Sequence, residues 1–109
     1  MNGTYVQKGE SLDYVNKTGK TIIAGEALSL GSRIGVAGTT MTDGQTGSVH
    51  VVGVFLFPKA TGALVMGDPL YYDVQGGVIT KTATGNIPAG YAAAPAVAGD
   101  QHVVVKLLG

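Results

Sequence analysis

The sequence contains no cysteine, which excludes disulfide bonds and thiolate metal sites from this 109-residue chain. Charge is scarce as well: Asp, Glu, Lys and Arg make up 13% of the residues, about half of the roughly 25% found in ordinary soluble domains. The seven basic and seven acidic side chains cancel. Binding to nucleic acid or to a membrane surface through charge needs a basic excess, so we expect neither partner.

Long apolar runs are also missing. No stretch approaches the ~20 residues that a membrane-spanning helix needs. Residues 1–5 lack the basic start and apolar core of a signal peptide. We therefore expect a protein that is made in the cytoplasm, and the short length predicts a single domain, residues 1–109.

The chain is instead rich in glycine, with 18 residues, and in Val and Thr. Glycine weakens helices and β-branched residues favour strands, so the composition predicts short strands joined by tight turns. The predicted fold class is all-β, a small single-domain barrel or sandwich, with a helical turn conceivable only at residues 60–67. The predicted strands lie near residues 4–8, 11–16, 20–24, 32–38, 48–57, 69–74, 77–82, 88–93 and 101–108.

The most apolar stretch, residues 48–59, carries apolar side chains on both faces of its predicted strand, residues 48–57. A small barrel normally buries one face of each strand. The second face must then lie under another segment of the chain or against another subunit. For this reason, and because residues 89–99 are rich in small side chains, we expect a homo-oligomer, with a trimer favoured and a dimer possible.

A glycine followed by an acidic residue precedes three apolar segments, at residues 25–26, 67–68 and 99–100. Glycine can adopt the positive φ of a tight turn, and the carboxylate beside it can accept hydrogen bonds from backbone N–H groups. The pattern predicts one turn motif used three times. The alternative is calcium binding, but the oxygen-rich clustering of a calcium loop is missing.

The tripeptide Gly19-Lys20-Thr21 matches the end of a nucleotide-binding P-loop. The complete pattern needs a glycine five positions before Gly19, where the chain has Tyr14. A P-loop also leads into a helix, whereas the β-branched residues 21–23 favour a strand. We interpret residues 16–20 as a hairpin turn between two strands. No other pattern points to chemistry, so we expect no catalytic, cofactor or metal site.

Several segments, in order along the chain, resemble the small capsid cement (decoration) proteins of tailed bacteriophages. The most telling are Gly-Val-Phe-x-x-Pro-Lys at 53–59 and Gly-Asp-x-x-Tyr-x-Asp at 67–73. Relatives of this kind have sometimes been labelled RecA-like recombinases, and the incomplete P-loop contradicts that label. The whole match lies in GEALSLGSRIGVAG, GSVHVVGVFLFPKATGALVMGDPLYYD, GGVIT and AGDQHVVVKLLG.

The resemblance implies a structural protein and not an enzyme. Such a protein lies on the exterior of the virion shell, contacts the major capsid protein and bridges neighbouring capsid subunits. Another virion β domain, from the tail or baseplate, is the alternative function, and a nucleotide-dependent recombinase is a distant one.

The N-terminal residues are the candidate capsid contact. As an arm of residues 1–8, they can become ordered on binding and add a strand to a capsid sheet. The alternative is that they form the first strand of the domain's own sheet. The candidate contact residues, which alternate as in a strand and are flanked by glycines, are Thr4, Tyr5, Val6, Gln7 and Lys8.

Overall fold

The computed structural model describes residues 1–5 and 9–107 of the chain. In these residues it contains nine β-strands and no helix, so the predicted all-β class is confirmed. The strands are short because glycine-containing turns interrupt the chain every few residues. Their bounds are β1 (Ser11–Val15), β2 (Ala27–Ser29), β3 (Ile34–Ala37), β4 (Thr46–His50), β5 (Val54–Pro58), β6 (Pro69–Asp73), β7 (Val78–Thr80), β8 (Ile87–Ala92) and β9 (His102–Leu107).

The strands form two antiparallel sheets. One has four strands in the order β1-β4-β3-β2, and the other has five in the order β5-β9-β8-β6-β7. A parallel bridge between Lys59 and Ile79 joins the end of β5 to β7, so the five-stranded sheet curls into a small barrel. The N–H of Ala60 donates to the carbonyl of Ile79 at 2.8 Å and fixes this closure. In the described residues the four-stranded sheet has no matching bridge, and β1 and β2 are its edges.

The two sheets are built in the same way from consecutive halves of the chain. Strands β1, β2, β3 and β4 of the first half correspond to β5, β6, β8 and β9 of the second, in the same order across the sheet. Strand β7 has no counterpart in the first half of the described chain. The fold is therefore an internal repeat in which only the second copy carries a fifth strand.

The backbone hydrogen bonds repeat along with the strands. Before its second and fourth strands, each half has a two-residue bridge with paired N–H···O bonds of 2.8 to 3.0 Å, Ile22–Met41 in one half and Leu64–Ala96 in the other. These shared bonds show that the similarity extends beyond strand order. The next equivalent bonds, both 2.8 Å, run from Gly25 N to Ala37 O and from Gly67 N to Ala92 O.

Each half has its own cluster of buried side chains. Burial of one aliphatic side chain contributes about 1.5–3 kcal/mol, so both clusters stabilise the fold. In the four-stranded half the cluster contains Ile22, Leu28, Ala37, Met41, Val49 and Val51. The larger cluster fills the barrel and reaches β3, and it contains Ile34, Val36, Phe57, Leu64, Leu70, Ile79, Ala89, Ala92, Ala96, Val103, Val105 and Leu107.

The prediction of one strand over residues 48–57, buried on both faces, is wrong. Strand β4 ends at His50 and β5 begins at Val54 in the other sheet. Gly53 lies between them with a φ of +123°, a conformation that redirects the chain and that L side chains rarely adopt. Val54 and Leu56 on the second face are 55% and 65% exposed, so within residues 1–5 and 9–107 no other segment covers them.

Two other local predictions are wrong as well. Residues 20–24 form no strand beyond the single bridge at Ile22, and the predicted hairpin at 16–20 is a bend, because β1 pairs with β4. Residues 60–67 contain a bridge and a turn but no helical turn. The short strand β2 was not predicted. Its sequence, Ala-Leu-Ser, has little β-propensity, and pairing with β3 makes it a strand.

Candidate functional site

The described residues contain no pattern that points to metal chemistry or to a membrane span. Among residues 1–5 and 9–107, no group of three or more His, Asp or Glu side chains lies close enough together to hold a metal ion. In the same residues, no helix is long and apolar enough to cross a membrane. His50 and His102 are both exposed. Surfaces and buried polar groups are therefore the features to analyse.

The P-loop-like tripeptide lies in a bend that side chains of the protein itself stabilise. Gly19 has a φ of +81°, and its N–H donates to Asp43 Oδ1 at 3.1 Å. The chain continues from Thr21 into the bridge at Ile22 and not into a helix, so the backbone N–H groups do not converge on a phosphate. Lys20 is exposed on this bend.

Replacing Lys20 with alanine is expected to change the free energy of unfolding by less than about 0.5 kcal/mol, because the side chain is exposed. Calorimetric titration with ATP is expected to give no binding heat for either protein. ATP binding by the wild type that disappears in Lys20→Ala would contradict the structural interpretation of the bend.

The bend depends on Asn16, which follows β1 and is completely buried. Its Nδ2 group donates to the carbonyl oxygens of Lys20 and Met41 at 2.6 and 3.0 Å. Its Oδ1 accepts from the N–H and the hydroxyl of Thr18 at 3.0 and 2.7 Å. One side chain thus ties β1 to the bridge that begins the next part of the repeat.

Lys59 follows β5 and has the corresponding place in the second half, where it is 7% exposed. Its Nζ donates to the carbonyl oxygens of Ala60 and Gly62 at 3.0 and 2.8 Å, with a longer contact of 3.5 Å to Ala98. Buried backbone carbonyls need such donors. Lys59 also ends the Gly-Val-Phe-x-x-Pro-Lys segment, so this residue of the family-like pattern holds the fold together.

The predicted turn motif is present, with corrections. Asp68 and Asp100 accept hydrogen bonds from backbone N–H groups three residues earlier, at 2.9 and 3.0 Å. Glu26 makes no such bond in the described chain, and Gly99 does not have a positive φ. A fourth turn of this kind, in which Gln45 accepts from Thr42 N–H at 2.9 Å, was missed because Gln45 is not acidic.

The hydrogen bond from Val65 N–H is the main cause that lowers the pKa of the Asp68 carboxyl below its ordinary value of 3.8, and Lys81, at 3.4 Å, adds to it. Because the folded pKa lies below the unfolded one, the ionised carboxylate contributes stability above pH 3.8. This contribution is lost as the pH falls through the folded pKa.

Apolar side chains cover the outside of the barrel in a patch that we call the barrel face. The register places Val54, Lys106, Tyr91 and Pro69 side by side across four strands, and Lys106 is the only charge in this row. Leu56 lies in the next row, opposite the half-buried Val104. Exposed apolar side chains that are grouped in this way are typical of an interaction surface.

Residues 89–99, the other predicted interface, are buried in part, while Pro95 and residues 97–99 are exposed and Val97 is 67% exposed. Ala89, Ala92 and Ala96 are buried in the barrel. Their small size allows strands to approach closely inside one chain, and only Tyr91 adds to the barrel face. A contact with another subunit through the exposed residues 95 and 97–99 stays a prediction.

Two shallow grooves, each of about 260 Å³, lie where the two halves meet. Glu26 and Tyr72 line both. Partial burial raises the pKa of the Tyr72 hydroxyl, and the carboxylates of Glu26 and Asp73 raise it further. The neutral phenol is therefore the form present at physiological pH.

The candidate contact residues of the N-terminus fall partly in the described structure. Thr4 and Tyr5 are exposed and belong to no strand, and Tyr5 is 81% exposed. Val6, Gln7 and Lys8 lie outside the described residues, as does Leu108 at the end of the predicted last strand. The contact of residues 4–8 with a capsid strand therefore stays a prediction.

Comparison with known proteins gives one result. A family model described as phage cement protein matches residues 6–107, nearly the whole chain and both halves of the repeat. No curated protein and no solved structure matches the sequence.

Proposed function

This chain belongs to the phage cement protein family, and we propose that it binds the outside of a phage capsid shell and stabilises the shell by bridging neighbouring major capsid subunits. The family is a structural one, and its name implies association with capsid proteins in the virion. The family match over residues 6–107 is the observation that carries the proposal.

The shape of the molecule supports a role in covering a surface. Its extents are 41 × 37 × 22 Å, so it is a plate and not a sphere. A monomer of 11.0 kDa exposes about 5,600 Å² on average, whereas this chain exposes 6644 Å², part of it in residues 1–5. A thin molecule with more exposed surface than average, part of it apolar, is suited to burial between partners.

The stabilising effect follows from linkage. A protein that binds the expanded shell, and not the immature or dissociated form, lowers the free energy of the expanded form alone. Each contact can be modest, because the shell repeats it by symmetry and the linked contacts act together.

The experiment mixes the purified protein with empty expanded shells and with immature shells, and measures how much protein sediments with each. We expect binding to expanded shells alone, and a higher temperature of shell dissociation once the protein is bound. Equal binding to both forms, or none, would contradict the proposal. Antibody labelling of virions distinguishes a shell location from the tail or baseplate. Deleting residues 1–8 in this assay tests the predicted arm contact.

We also propose that the barrel face joins copies of the chain, with a trimer favoured. Replacing Leu56 with aspartate places a charge in this face without entering the core, because Leu56 is 65% exposed. Sedimentation at micromolar concentration is expected to give a smaller species for the variant than for the wild type.

The matched control is Met66→Asp. Met66 is 69% exposed and lies in a turn, outside the strands that form the barrel face. The Met66→Asp variant is expected to sediment as the same oligomer as the wild type. A wild type that sediments as a monomer, or a Leu56→Asp protein that sediments as the wild type does, would show that this face is not a contact.

A further inference from the structure

The four-stranded half lacks the strand that closes the other half into a barrel. In the barrel, β7 pairs with the outer edge of β6 and touches the end of β5. The corresponding position in the first half lies between β2 and the bend after β1, and one of the 260 Å³ grooves is found there. Its lining from the first half includes Thr18, Lys20, Thr21, Ile22, Ala27 and Ser29.

The backbone of β2 is open toward this groove. Residues on alternate positions of an antiparallel strand bond to the same neighbour. Glu26 O accepts from Ala37 N–H at 2.9 Å, and Leu30 N–H donates to Arg33 O, just before β3, at 2.8 Å. Ala27 and Ser29 therefore direct their N–H and C=O groups toward the groove. An added strand would satisfy these groups by β-augmentation.

Strand β7 shows what such a strand needs. Ile79 points into the barrel and is 1% exposed, and two residues later Lys81 pairs with Asp68 at 3.4 Å. Glu26 corresponds to Asp68 in the first half, is exposed, and has no ion pair in the described structure. The groove therefore favours a strand with an apolar residue followed two positions later by a lysine.

The chain itself contains a segment with this pattern. Tyr5-Val6-Gln7-Lys8 aligns with Val78-Ile79-Thr80-Lys81, which places Val6 at the position of Ile79 and Lys8 at that of Lys81. A glycine precedes both segments within two residues. The described part of the N-terminus, residues 1–5, is exposed and pairs with no strand, so it is accessible to a partner.

The direction of the strands excludes the chain's own arm. The bridge between Lys59 and Ile79 is parallel, so a strand equivalent to β7 would run parallel to β1. Parallel neighbours need a crossover connection of about a dozen residues or more. Only Gly9 and Glu10 separate Lys8 from the start of β1. The arm must come from another molecule.

We propose that residues 4–8 of one copy insert as a strand beside β2 of a second copy and close its four-stranded half into a barrel. The partner of the arm is then strand β2 of a second copy, whereas the sequence analysis predicted a strand of the capsid protein. Val6 fills the groove, and Lys8 lies beside Glu26 of the second copy. The proposal does not depend on shell binding.

Disulfide trapping tests this arrangement directly, because the chain has no cysteine of its own. Tyr71 lies opposite Thr80 in the barrel, so the proposal places Gln7 of one copy opposite Ser29 of the other, within the 4.4–6.8 Å Cα separation of a disulfide. Mixing the single variants Gln7→Cys and Ser29→Cys under mild oxidation is expected to give a cross-linked heterodimer. The control pairs Gln7→Cys with Thr84→Cys, an exposed position in a turn of the barrel half.

Each outcome decides the proposal. A yield of Gln7→Cys/Ser29→Cys heterodimer well above that of the Gln7→Cys/Thr84→Cys control supports the proposal. Yield no higher than that control overturns it, and so does a Gln7→Cys/Ser29→Cys double variant that forms its disulfide within one chain. If Gln7→Cys is protected from thiol reagents only on shells and never cross-links to Ser29→Cys, the arm binds the shell instead.

A charge exchange provides an independent measurement. Glu26→Lys, an exposed substitution, is expected to lower the cross-linking yield by about two- to fivefold, the size expected of an exposed ion pair. Adding Lys8→Glu to the arm is expected to restore it. Equal yields in all charge combinations would contradict the pairing of Lys8 with Glu26 and with it the proposed register.

Discussion

Replacing Gly90 with alanine is expected to destabilise the fold by roughly 3 kcal/mol or more, among the largest effects of single substitutions. A Cβ atom at this position would lie 1.9 Å from the carbonyl oxygen of Lys106 and 3.1 Å from the Cα of Leu107. Both atoms belong to the backbone of β9, so β8 and β9 would have to separate. Gly90 also has a φ of +152°, which alanine rarely adopts. Urea or thermal unfolding measures the loss.

Two other glycines serve as controls for Gly90. Gly99 has open space around its Cα and no positive φ, so Gly99→Ala is expected to change stability by less than about 0.5 kcal/mol. Gly35 is the counterpart of Gly90 in the first half, and its added Cβ would first meet the side chain of Val49 at 2.3 Å. A side chain yields more easily than backbone, so Gly35→Ala should be intermediate. A Gly90→Ala protein as stable as Gly99→Ala would refute the close approach of β8 and β9.

Replacing Asn16 with alanine is expected to cost about 2–4 kcal/mol, because it removes four hydrogen bonds of a fully buried side chain. The carbonyls of Lys20 and Met41 would lose a donor, and the N–H of Thr18 its acceptor. For a chain of this size, each kcal/mol lowers the melting temperature by about 4–8 °C. Thermal unfolding therefore resolves the effect easily.

Asn86→Ala is the matched control for this substitution. The side chain of Asn86 also caps a turn, but it makes a single exposed hydrogen bond, from Nδ2 to Thr82 O at 2.9 Å. Its loss is expected to cost about 1 kcal/mol or less. If both variants have the same melting temperature, burial and the number of hydrogen bonds do not determine how much these turns contribute to stability.

The internal repeat explains why Asn16 and Lys59 are buried although both are polar. Each follows the first strand of its half, where the chain turns away from the sheet and leaves backbone carbonyls without strand partners. An amide group in one half and an ammonium group in the other donate to them. The same structural requirement is met by different chemistry, which conceals the repeat in the sequence.

The residues that resemble the cement protein family serve the fold more than any contact. Gly53 turns the chain from one sheet to the other, Lys59 donates to partly buried backbone carbonyls, and Asp68 holds a turn. Gly53, Lys59 and Asp68 themselves are not part of the surfaces proposed to bind partners, which are the barrel face and the edge of β2. The resemblance therefore identifies the family, and contacts must be sought on exposed residues.

The sequence by itself determined the all-β class, most strand positions, the turns at Asp68 and Asp100 and the family. These features depend on local chemistry: β-branched residues favour strands, and glycine beside a carboxylate favours a tight turn. The sequence also predicted correctly that residues 19–21 do not form a P-loop. Both reasons, Tyr14 in place of the first glycine and no helix after Thr21, concern neighbouring residues only. These features could be predicted because each depends only on residues that are neighbours in the sequence.

The tertiary structure alone decided the division of residues 48–57 between two sheets, the internal repeat and the open strand position beside β2. Apolar side chains on both faces of a segment do not reveal that Gly53 interrupts it or which face stays exposed. Asn16 and Lys59 share no chemistry, so only their burial and partners show that they correspond. The missing strand became visible once β7 was seen to close the barrel, because pairing between distant segments depends on the whole fold and not on local sequence.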